Sequence, residues 1–366
     1  MPRILIDARA IADPNAGGVG RVARLWILEI VTGELDVTRY PLSVIRTEST
    51  APTDHGSPIT DHEFLCITTG LSPSATVKEF CDKLGVRYLH LRIPNKIWTL
   101  GCWLKIFALD RAAEKKVGPI DRVFLPNLGF TGKLTRPYEL LLHDVSFAIE
   151  PRWFTWRMRL WHRLLPIRKL ITNAEKLHCV SQRTSDDTVR LYGVRDDKCE
   201  VFKFDAALPA ASPIRPSWLP QSALRYVLLM GGADPRKNVE TALCAITEFN
   251  FKHPDQSLVP IVLGGHGKGN CPKGGPCVRP PAKVTDAELH FLYANALAFL
   301  YPSWYEGYGL PLHEAKSHQT PCVASTAGAL PETTPQGTIF CHPAKPHEWL
   351  AALELIVASR DSATRG

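Results

Sequence analysis

Short, continuous apolar runs alternate along the chain with longer segments whose apolar residues recur at helical spacing. The first run is residues 3–9 (RILIDAR), and a helical pattern follows it from residue 21. The arrangement recurs about 220 residues later, where residues 225–231 (RYVLLMG) precede a helical pattern that starts at residue 239. Further buried strands are predicted at 122–126, 138–143, 176–180, 259–263, 297–301 and 321–324. Strands that alternate with helices are typical of parallel sheets with right-handed crossovers, so the pattern predicts two α/β halves.

A proline-rich stretch separates the two halves. The chain has 366 residues, about twice the length that one hydrophobic core needs, so two domains are expected. Residues 209–220 (PAASPIRPSWLP) show no helical face and are therefore the best candidate for a linker. The predicted organisation is an N-terminal domain at 1–205, a linker at 206–222, a C-terminal domain at 223–345, and a final helix with its tail at 346–366.

Charge is unevenly distributed between the halves. The net charge is +7, and residues 1–205 hold 30 basic and 24 acidic side chains, against 13 and 12 in residues 206–366. Much of the excess lies in 152–176, which has seven basic residues and one acidic residue. Such a segment indicates a phosphate-bearing partner, an anionic membrane surface, or simply a solvated basic helix, and the sequence leaves these open.

Targeting signals and cysteines bear on the compartment. No run of 18 apolar residues is present to form a transmembrane helix, and charged residues interrupt the first apolar segment, which argues against a secretory signal. Ten cysteines scattered over a long chain are interpreted as free thiols in a reducing compartment. The predicted location is therefore cytoplasmic, with a peripheral position on the inner face of the membrane as the variant that the basic segment suggests.

The segment YPSWYEGYGLPLHE (residues 301–314) is the strongest candidate site. A buried strand ends at Tyr301, and Glu306 lies in the loop that follows. Pro311 suits the first turn of a helix, where its missing N–H costs nothing. Glu314 then falls within the first two turns of that helix. One carboxylate therefore precedes the helix and the other lies on it.

The start of this helix is a candidate phosphate site. Backbone N–H groups around Gly309, Leu310 and Leu312 point out of the helix N-terminus, where the dipole favours an anion. The flanking carboxylates can accept hydrogen bonds from sugar or ribose hydroxyls. The alternative is an ordinary helix start in which the dipole alone favours acidic residues.

This segment resembles a known signature. A Glu, seven residues and a second Glu, with Gly-Leu-Pro between them, resemble the signature of retaining glycosyltransferase family 4, and HEAKSHQTPCVASTAGALPE resembles the family's continuation. The resemblance covers most of the chain, most densely 122–200 and 225–340, and favours the mannosyltransferase-like branch. It implies the GT-B fold, an α/β architecture of two facing Rossmann-like parallel-sheet domains. It also implies that Glu306 lies beside the donor sugar and that Glu314 binds the nucleotide ribose.

The loop GGADPRKNV (residues 231–239) places two cations after a predicted strand. Arg236 and Lys237, next to a helix start, suit a diphosphate, although an exposed Arg-Lys turn is equally common. The loop resembles the family's pyrophosphate-binding loop. Many members carry a further Arg just after the strand, where this chain has Gly231 and Gly232.

The glycines of AGGVGR (residues 16–21) form the third motif. Gly18, Gly20 and Ala23 match G-x-G-x-x-A, but the strand ends too far upstream for a dinucleotide fingerprint. A mobile glycine-rich loop that closes over a diphosphate and the acceptor fits better, and it resembles the corresponding loop of family 4. Gly18 and Gly20 are therefore expected to contribute to donor binding.

The fourth motif is LLLHDVS, in which His143 and Asp144 end a predicted strand. A lone His is more often structural, but its position at a strand end favours function. In the resembling branch a His-Asp here faces the donor sugar, which implies a catalytic role for both residues.

Two further features have plain interpretations as well as functional ones. Tryptophans interleaved with basic residues over 152–169 and 95–109 indicate either a membrane-facing surface or ordinary core packing; 95–109 is predicted as one helix. Cys271 and Cys277 flank KGGP, but a single pair is too few for structural zinc, so no metal is expected.

Together these motifs predict a retaining hexosyltransferase. The donor is expected to be a nucleotide-diphosphate sugar, with GDP-mannose favoured by the resemblance, and no cofactor is required. The acceptor is expected to be a saccharide or a lipid-linked oligosaccharide used in polysaccharide biosynthesis, with no nucleic acid as partner. Same-face attack is preferred over double displacement because no carboxylate of the N-terminal half is well placed as a nucleophile. A non-catalytic binding module and a nucleotide-sugar epimerase remain the alternatives.

Overall fold

The computed structural model describes residues 2–12, 17–33, 62–204, 208, 211–221, 223, 225–232, 234–264 and 276–363. The chain divides into two compact units. The first contains residues 1–148 and 155–205, and the second contains residues 149–154 and 206–366. The short segment 149–154 thus belongs with the C-terminal half of the sequence.

The first unit is built on a seven-stranded, fully parallel sheet. Its strands are β1 (Arg3–Asp7), β2 (Glu63–Thr69), β3 (Arg87–Leu91), β4 (Arg122–Leu125), β5 (Tyr138–Leu142), β6 (Lys176–Cys179) and β7 (Cys199–Val201). Their order is β3-β2-β1-β4-β5-β6-β7. The interior strand β1 is buried at four of its five residues, as expected for a parallel sheet covered on both faces.

Helices connect these strands. They are α1 (Arg9–Ala12), α2 (Gly17–Thr32), α3 (Ala75–Leu84), α4 (Asn95–Trp103), α5 (Leu109–Val117), α6 (Ser146–Ile149), α7 (Trp156–Leu164), α8 (Ile167–Asn173) and α9 (Gln182–Tyr192). Local sequence sets several of their ends. Ser74 and Ser181 cap the N-termini of α3 and α9 through their hydroxyls, and Gly85 and Gly193 end the same helices in the left-handed conformation.

The second unit has a five-stranded parallel sheet in the order β12-β11-β10-β8-β9. Its strands are β8 (Tyr226–Met230), β9 (Val259–Leu263), β10 (Ala298–Tyr301), β11 (Cys322–Ser325) and β12 (Ile339–Cys341). Its helices are α10 (Val239–Lys252), α11 (Asp286–Asn295), α12 (Leu310–Ser317), α13 (Leu330–Thr333) and α14 (Pro346–Ala363). Buried residues of α10 and α14 pack with β8 in one core cluster. Leu208 and Leu219, from the stretch predicted as a linker, are buried in the other.

Each sheet has a point where the strand order reverses. In the first unit the reversal lies between β1 and β4, and in the second it lies between β8 and β10. Ligands of open parallel sheets bind outside the carboxyl ends of the strands at such a point. The segments that follow these four strands are therefore where a site is expected.

The predicted strands agree with the structure to within two residues at either end. Four strands, β2, β3, β7 and β12, were not predicted. The single helix predicted over 95–109 is wrong, since α4 ends at Trp103 and α5 begins at Leu109. The N–H groups of Ile106 and Phe107 both donate to the Gly101 carbonyl, and a Cβ on Gly101 would lie 2.1 Å from the Phe107 ring. Glycine thus allows the chain to fold back at this point.

Among the described cysteines, one departs from expectation. Cys277 is disulfide-bonded, so the prediction of free thiols is wrong for this residue. A disulfide depends on how closely the fold brings two thiols together, which composition does not reveal. The free cysteines among the described residues are Cys66, Cys81, Cys102, Cys179, Cys199, Cys244, Cys322 and Cys341. Within the described residues, no helix has the length and apolar character needed to cross a bilayer.

Candidate functional site

The loop after β10 carries the first carboxylate. Glu306 is only 8% exposed although it lies between a strand and a helix. Gly309 adopts a left-handed conformation (φ 100°) as the N-cap of α12, and Pro311 occupies the first turn of that helix. Glu314 lies on α12 and is 4% exposed. The structure therefore places one carboxylate before the helix and the other on it.

The start of α12 differs in one respect from the predicted phosphate cradle. The Leu312 N–H donates to the Gly309 carbonyl oxygen at 3.0 Å, so it is used within the helix turn. Pro311 has no N–H to offer. Gly309, the N-cap, has no side chain that could accept from the first N–H groups of the helix, which leaves the N–H groups of Gly309 and Leu310 as the candidate donors.

The loop after β8 carries the two cations. Residues Pro235–Lys237 form one turn of 3₁₀ helix, which the Asp234 carboxylate caps by accepting from the Arg236 N–H. The Arg236 guanidinium also pairs with Asp234, at 3.3 Å, and lies over the ring of Phe154 at 5.8 Å from its centroid. Its planar group is thus held between a carboxylate and an aromatic face.

Lys237 and Glu306 form a buried ion pair. The Lys237 Nζ donates to Glu306 Oε1 at 2.6 Å and to the Tyr301 hydroxyl oxygen at 2.9 Å. An ammonium has three N–H groups, so one remains for another acceptor. Gly231 makes this path possible, because a Cβ there would lie 2.2 Å from the Lys237 Cβ. The cationic loop and the Glu306 loop are therefore joined at the strand-order reversal.

The pair is held in its charged form. Burial raises the pKa of Glu306, but the charges of Lys237 and Arg236 oppose this effect and leave the pKa below its ordinary value of 4.5. Burial likewise lowers the pKa of Lys237, but the neighbouring Glu306 and Tyr301 leave it above its ordinary value of 10.5. Both side chains are therefore ionised at neutral pH.

Further hydrogen bonds hold the same two loops together. The Trp304 N–H donates to the Arg236 carbonyl oxygen at 2.8 Å, and the Asn238 side-chain amide donates to the carbonyl oxygens of Pro302 and Pro343. Asn238, which is buried, adopts a left-handed conformation (φ 51°) at the start of α10. The prediction from sequence missed Asn238 and Tyr301, although a polar residue at a helix start and a tyrosine at a strand end are recognisable signals.

Glu314 has its own buried support. The Tyr293 hydroxyl, on α11, donates to Glu314 Oε2 at 3.0 Å, and Tyr293 is fully buried. The Tyr293 ring stacks on His318, whose Nδ1 lies 2.8 Å from the Glu314 carbonyl oxygen. The orientation of the carboxylate is therefore set by α11. No local sequence signal pointed to Tyr293.

His143 and Asp144 follow β5 in the first unit. His143 Nε2 lies 2.8 Å from the Pro126 carbonyl oxygen, so it carries the proton and donates. Burial lowers the pKa of His143 below its ordinary value of 6.5, against the opposing effects of Pro126 and Asp144. Asp144 Oδ1 accepts from both the N–H and the hydroxyl of Ser146 at the start of α6. His143 is therefore neutral at pH 7, and Asp144 is bound to Ser146, the first residue of α6.

Gly18 and Gly20 do not lie in a loop. They belong to the first turn of α2, which begins at Gly17 in a left-handed conformation (φ 52°). Gly20 is buried in that turn. The expected mobile loop is therefore wrong for both glycines, because the positive φ of Gly17 turns the chain directly into the helix. Residues 13–16 lie outside the described part of the chain.

A cavity of about 430 Å³ opens at the strand-order reversal of the first unit. Its walls come from the segments after β1 and β4 and from α4 and α7, and it was not predicted. The lining residues are Asp7, Arg9, Ala10, Val19, Thr99, Asn127, Leu128, Gly129, Phe130 and Trp161. Arg9 forms a close ion pair with Asp7 at 2.6 Å and donates to the Phe130 carbonyl oxygen. The cavity thus offers polar groups with little net charge beside an aromatic ring.

Among the described residues, no three His, Cys, Asp or Glu side chains lie close enough together to hold a metal ion. Cys271, one of the two cysteines considered from the sequence, lies outside the described residues.

Comparison with known proteins identifies the family. A family model described as "Glycosyl transferases group 1" matches residues 225–359, which include both loops of the site. Over 318 residues the chain is 32% identical to the O-antigen chain mannosyltransferase RfbU of Salmonella typhimurium, a match that covers 78% of this chain and 81% of that protein. The chain belongs to the group 1 glycosyltransferases.

Other similarities of this group 1 glycosyltransferase agree with that assignment. It is 26% identical over 243 residues to the O-antigen chain mannosyltransferase B of Escherichia coli, a match that spans 60% of each chain. It also shares its fold with the sucrose-phosphate synthase of Thermosynechococcus elongatus, at a TM-score of 0.61 and 16% identity, over 98% of this chain and 90% of that one. The predicted fold class, two Rossmann-like parallel-sheet domains of the GT-B type, is confirmed.

Proposed function

We propose that this glycosyltransferase transfers mannose from GDP-mannose, with retention of configuration, to a saccharide or lipid-linked oligosaccharide in polysaccharide biosynthesis. The choice of mannose is supported by the names of the two mannosyltransferases to which the chain is similar. The location predicted from the sequence, cytoplasmic or peripheral on the inner face of the membrane, stays a prediction.

The observation that carries the proposal is the joining of the two loops by Lys237 and Glu306. The pair lies at the strand-order reversal between β8 and β10, where a ligand of a parallel sheet binds. A carboxylate held there by a lysine can accept hydrogen bonds from sugar hydroxyls and oppose positive charge on the sugar ring. We therefore assign to Glu306 the role of binding the donor sugar.

The donor diphosphate would be bound by the groups around that pair. Arg236, the third N–H of Lys237, and the N–H groups of Gly309 and Leu310 would donate to the phosphate oxygens. These donors would also stabilise the negative charge that develops on the departing diphosphate, which is where catalysis gains most. Glu314, oriented by Tyr293, would bind the ribose hydroxyls. The nucleotide sugar is the substrate, and no cofactor forms part of the proposal.

For retention we propose same-face attack. The bond from the anomeric carbon to the phosphate oxygen breaks while the bond to the acceptor oxygen forms on the same face. The proton of the acceptor hydroxyl passes to the departing phosphate oxygen. Among the carboxylates of the N-terminal half, Asp144 is the best candidate for a nucleophile. Its Oδ1, however, already accepts two hydrogen bonds from Ser146. His143 and Asp144 stay predicted catalytic residues on the strength of the resemblance.

A thermal-shift panel of GDP- and UDP-sugars tests the donor. A ligand at 100 times its dissociation constant adds about 2.7 kcal/mol to the free energy of unfolding, so the correct donor should raise the Tm clearly. The anomeric configuration of the product, read by NMR at early times, then tests retention. Stabilisation by no nucleotide sugar would contradict the proposal, and donor binding without transfer to any saccharide would indicate a binding module.

Removing the Tyr293 hydroxyl should weaken donor binding selectively. Tyr293→Phe deletes the hydrogen bond to Glu314 and is expected to lower GDP affinity by about 1–1.5 kcal/mol, roughly tenfold. Isothermal titration measures the change, and Tyr226→Phe, which removes a buried hydroxyl bonded to the Leu292 carbonyl oxygen, is the matched control. Equal affinity in Tyr293→Phe and wild type would show that Glu314 needs no such orientation.

A further inference from the structure

Exposed apolar side chains are concentrated on two segments of the first unit. Of the fifteen large hydrophobic residues that are exposed in the described part of the chain, ten lie in 97–106 or 156–164. They are Ile97, Leu100, Trp103, Leu104, Ile106, Trp156, Met158, Leu160, Trp161 and Leu164. Not one residue of α7 is buried. The alternative considered from the sequence, that these tryptophans pack in the core, is therefore wrong for Trp103, Trp156 and Trp161.

The two segments lie beside one cavity. Thr99 of α4 and Trp161 of α7 both line the 430 Å³ cavity at the reversal between β1 and β4. Phe130 connects them, because the Trp161 ring meets the Phe130 ring edge-on at 5.8 Å and the Trp98 indole N–H donates to the Phe130 carbonyl oxygen at 2.8 Å. We call the exposed residues of 96–106 and 156–164 the two-helix face.

The charge of the two-helix face is entirely positive. Its basic residues are Lys96, Lys105, Arg157, Arg159 and Arg163, all exposed, and neither segment contains Asp or Glu. Tryptophan and leucine side chains alternate with these cations along α7. Such a composition suits the boundary between lipid headgroups and acyl chains, where apolar side chains insert and cations meet anionic headgroups. A protein partner would have to supply an acidic and apolar surface together.

We propose that the two-helix face docks this protein on an anionic lipid bilayer and thereby brings the cavity to the membrane surface. This inference deepens the proposed function, on which it rests, because it selects a lipid-linked saccharide among the possible acceptors. A sugar in the cavity would contact the exposed Trp161 ring and the polar groups of Thr99 and Asn127, while its lipid stays in the adjacent bilayer.

Vesicle flotation of the full chain tests the docking. Phosphatidylcholine vesicles with and without 30 mol% phosphatidylglycerol, at low and high salt, are the probes. Binding should require the anionic lipid and weaken as salt rises, because the attraction decays within a Debye length. In Arg157→Gln/Arg159→Gln/Arg163→Gln, each lost cation is expected to cost about fivefold, and the partition coefficient should fall about 100-fold.

The apolar contribution has its own variant and control. Trp103→Gln/Ile106→Gln/Trp156→Gln/Leu160→Gln should lower binding at least about tenfold. Leu71→Gln/Ile214→Gln/Phe251→Gln/Leu355→Gln changes four exposed apolar residues elsewhere and should bind like wild type. Lys78→Gln/Lys115→Gln/Lys116→Gln is the matched control for the charge variant, because it removes three cations elsewhere. The Tm of each variant shows that it is folded.

Several results would overturn the docking. Docking is contradicted if the protein floats equally with neutral and anionic vesicles. It is also contradicted if the charge variant or the apolar variant binds anionic vesicles as strongly as wild type. Self-association of the wild type that the apolar variant abolishes, without any vesicle binding, would instead assign the face to a second copy of this chain. Donor-induced thermal shifts and transfer to a short soluble saccharide should be unchanged in the charge variant. If the wild type itself showed neither donor-induced thermal shifts nor transfer, this result would count against the proposed function and not against docking.

Discussion

Lys237→Met should lower the free energy of unfolding by about 3–5 kcal/mol, which is what losing one partner of a buried ion pair costs. The Glu306 carboxylate would stay buried and lose its lysine, and the Tyr301 hydroxyl would lose a donor. The double variant Lys237→Met/Glu306→Gln removes both charges and should recover most of this loss. Urea unfolding of the wild type, the two single variants and the double variant measures the coupling.

Activity separates the role of the pair in stability from its role in the reaction. The double variant should be nearly as stable as wild type yet inactive, because it lacks one of the cations assigned to the diphosphate and also the carboxylate assigned to the donor sugar. Lys252→Met is the control, since this lysine is half exposed and pairs with Glu248 on the surface of α10. Full additivity of the two single variants would show that Lys237 and Glu306 do not interact energetically.

The pH dependence of stability follows from the same pair. The lowered pKa of Glu306 contributes stability that is present above 4.5 and lost as the pH falls through the folded value. The raised pKa of Lys237 contributes stability that is present below 10.5 and lost as the pH rises through the folded value. The stability difference between wild type and the double variant should therefore be constant from about pH 5 to pH 10.

Glu306→Gln should raise the barrier for transfer by about 2–4 kcal/mol while the variant still binds GDP. The substitution keeps the shape of the side chain and removes the charge that opposes the positive charge on the reacting sugar. Steady-state kinetics should show the loss in kcat, and Glu240→Gln, an exposed carboxylate at the start of α10, should leave kcat unchanged.

A mass measurement distinguishes this role from nucleophilic catalysis. Wild-type protein incubated with donor and no acceptor should keep its intact mass, because same-face attack forms no covalent intermediate. A stable hexose adduct on a peptide that contains Glu306 or Asp144 would overturn the same-face mechanism.

Local sequence was sufficient for the elements that carry the site. The buried strands are continuous apolar runs, and Gly309 and Pro311 mark the start of α12, so the sequence alone places both loops at strand ends. The unpredicted edge strands β7 and β12 are only three residues long and partly exposed, which leaves almost no apolar pattern. The pairing of Lys237 with Glu306 was not predicted because partners in the tertiary fold leave no local mark.

The cavity and the orientation of Glu314 were beyond sequence reasoning for the same reason. Tyr293 resembles any aromatic residue on the buried side of a helix, and its role depends on how α11 lies against α12. For Gly18 and Gly20 the sequence motif led to a wrong prediction. A glycine-rich motif suggested a loop, whereas a single positive φ at Gly17 was enough to start a helix there.

The ion pair between Lys237 and Glu306 also constrains the order of folding. Its two residues are 69 positions apart in the chain and follow β8 and β10, which are neighbours in the sheet. Neither loop acquires its partner until β10 has been synthesised and has docked beside β8. Contacts between such distant positions are slow to form, because the intervening chain must first lose its conformational freedom. The donor site is therefore complete only when the central part of this sheet is complete.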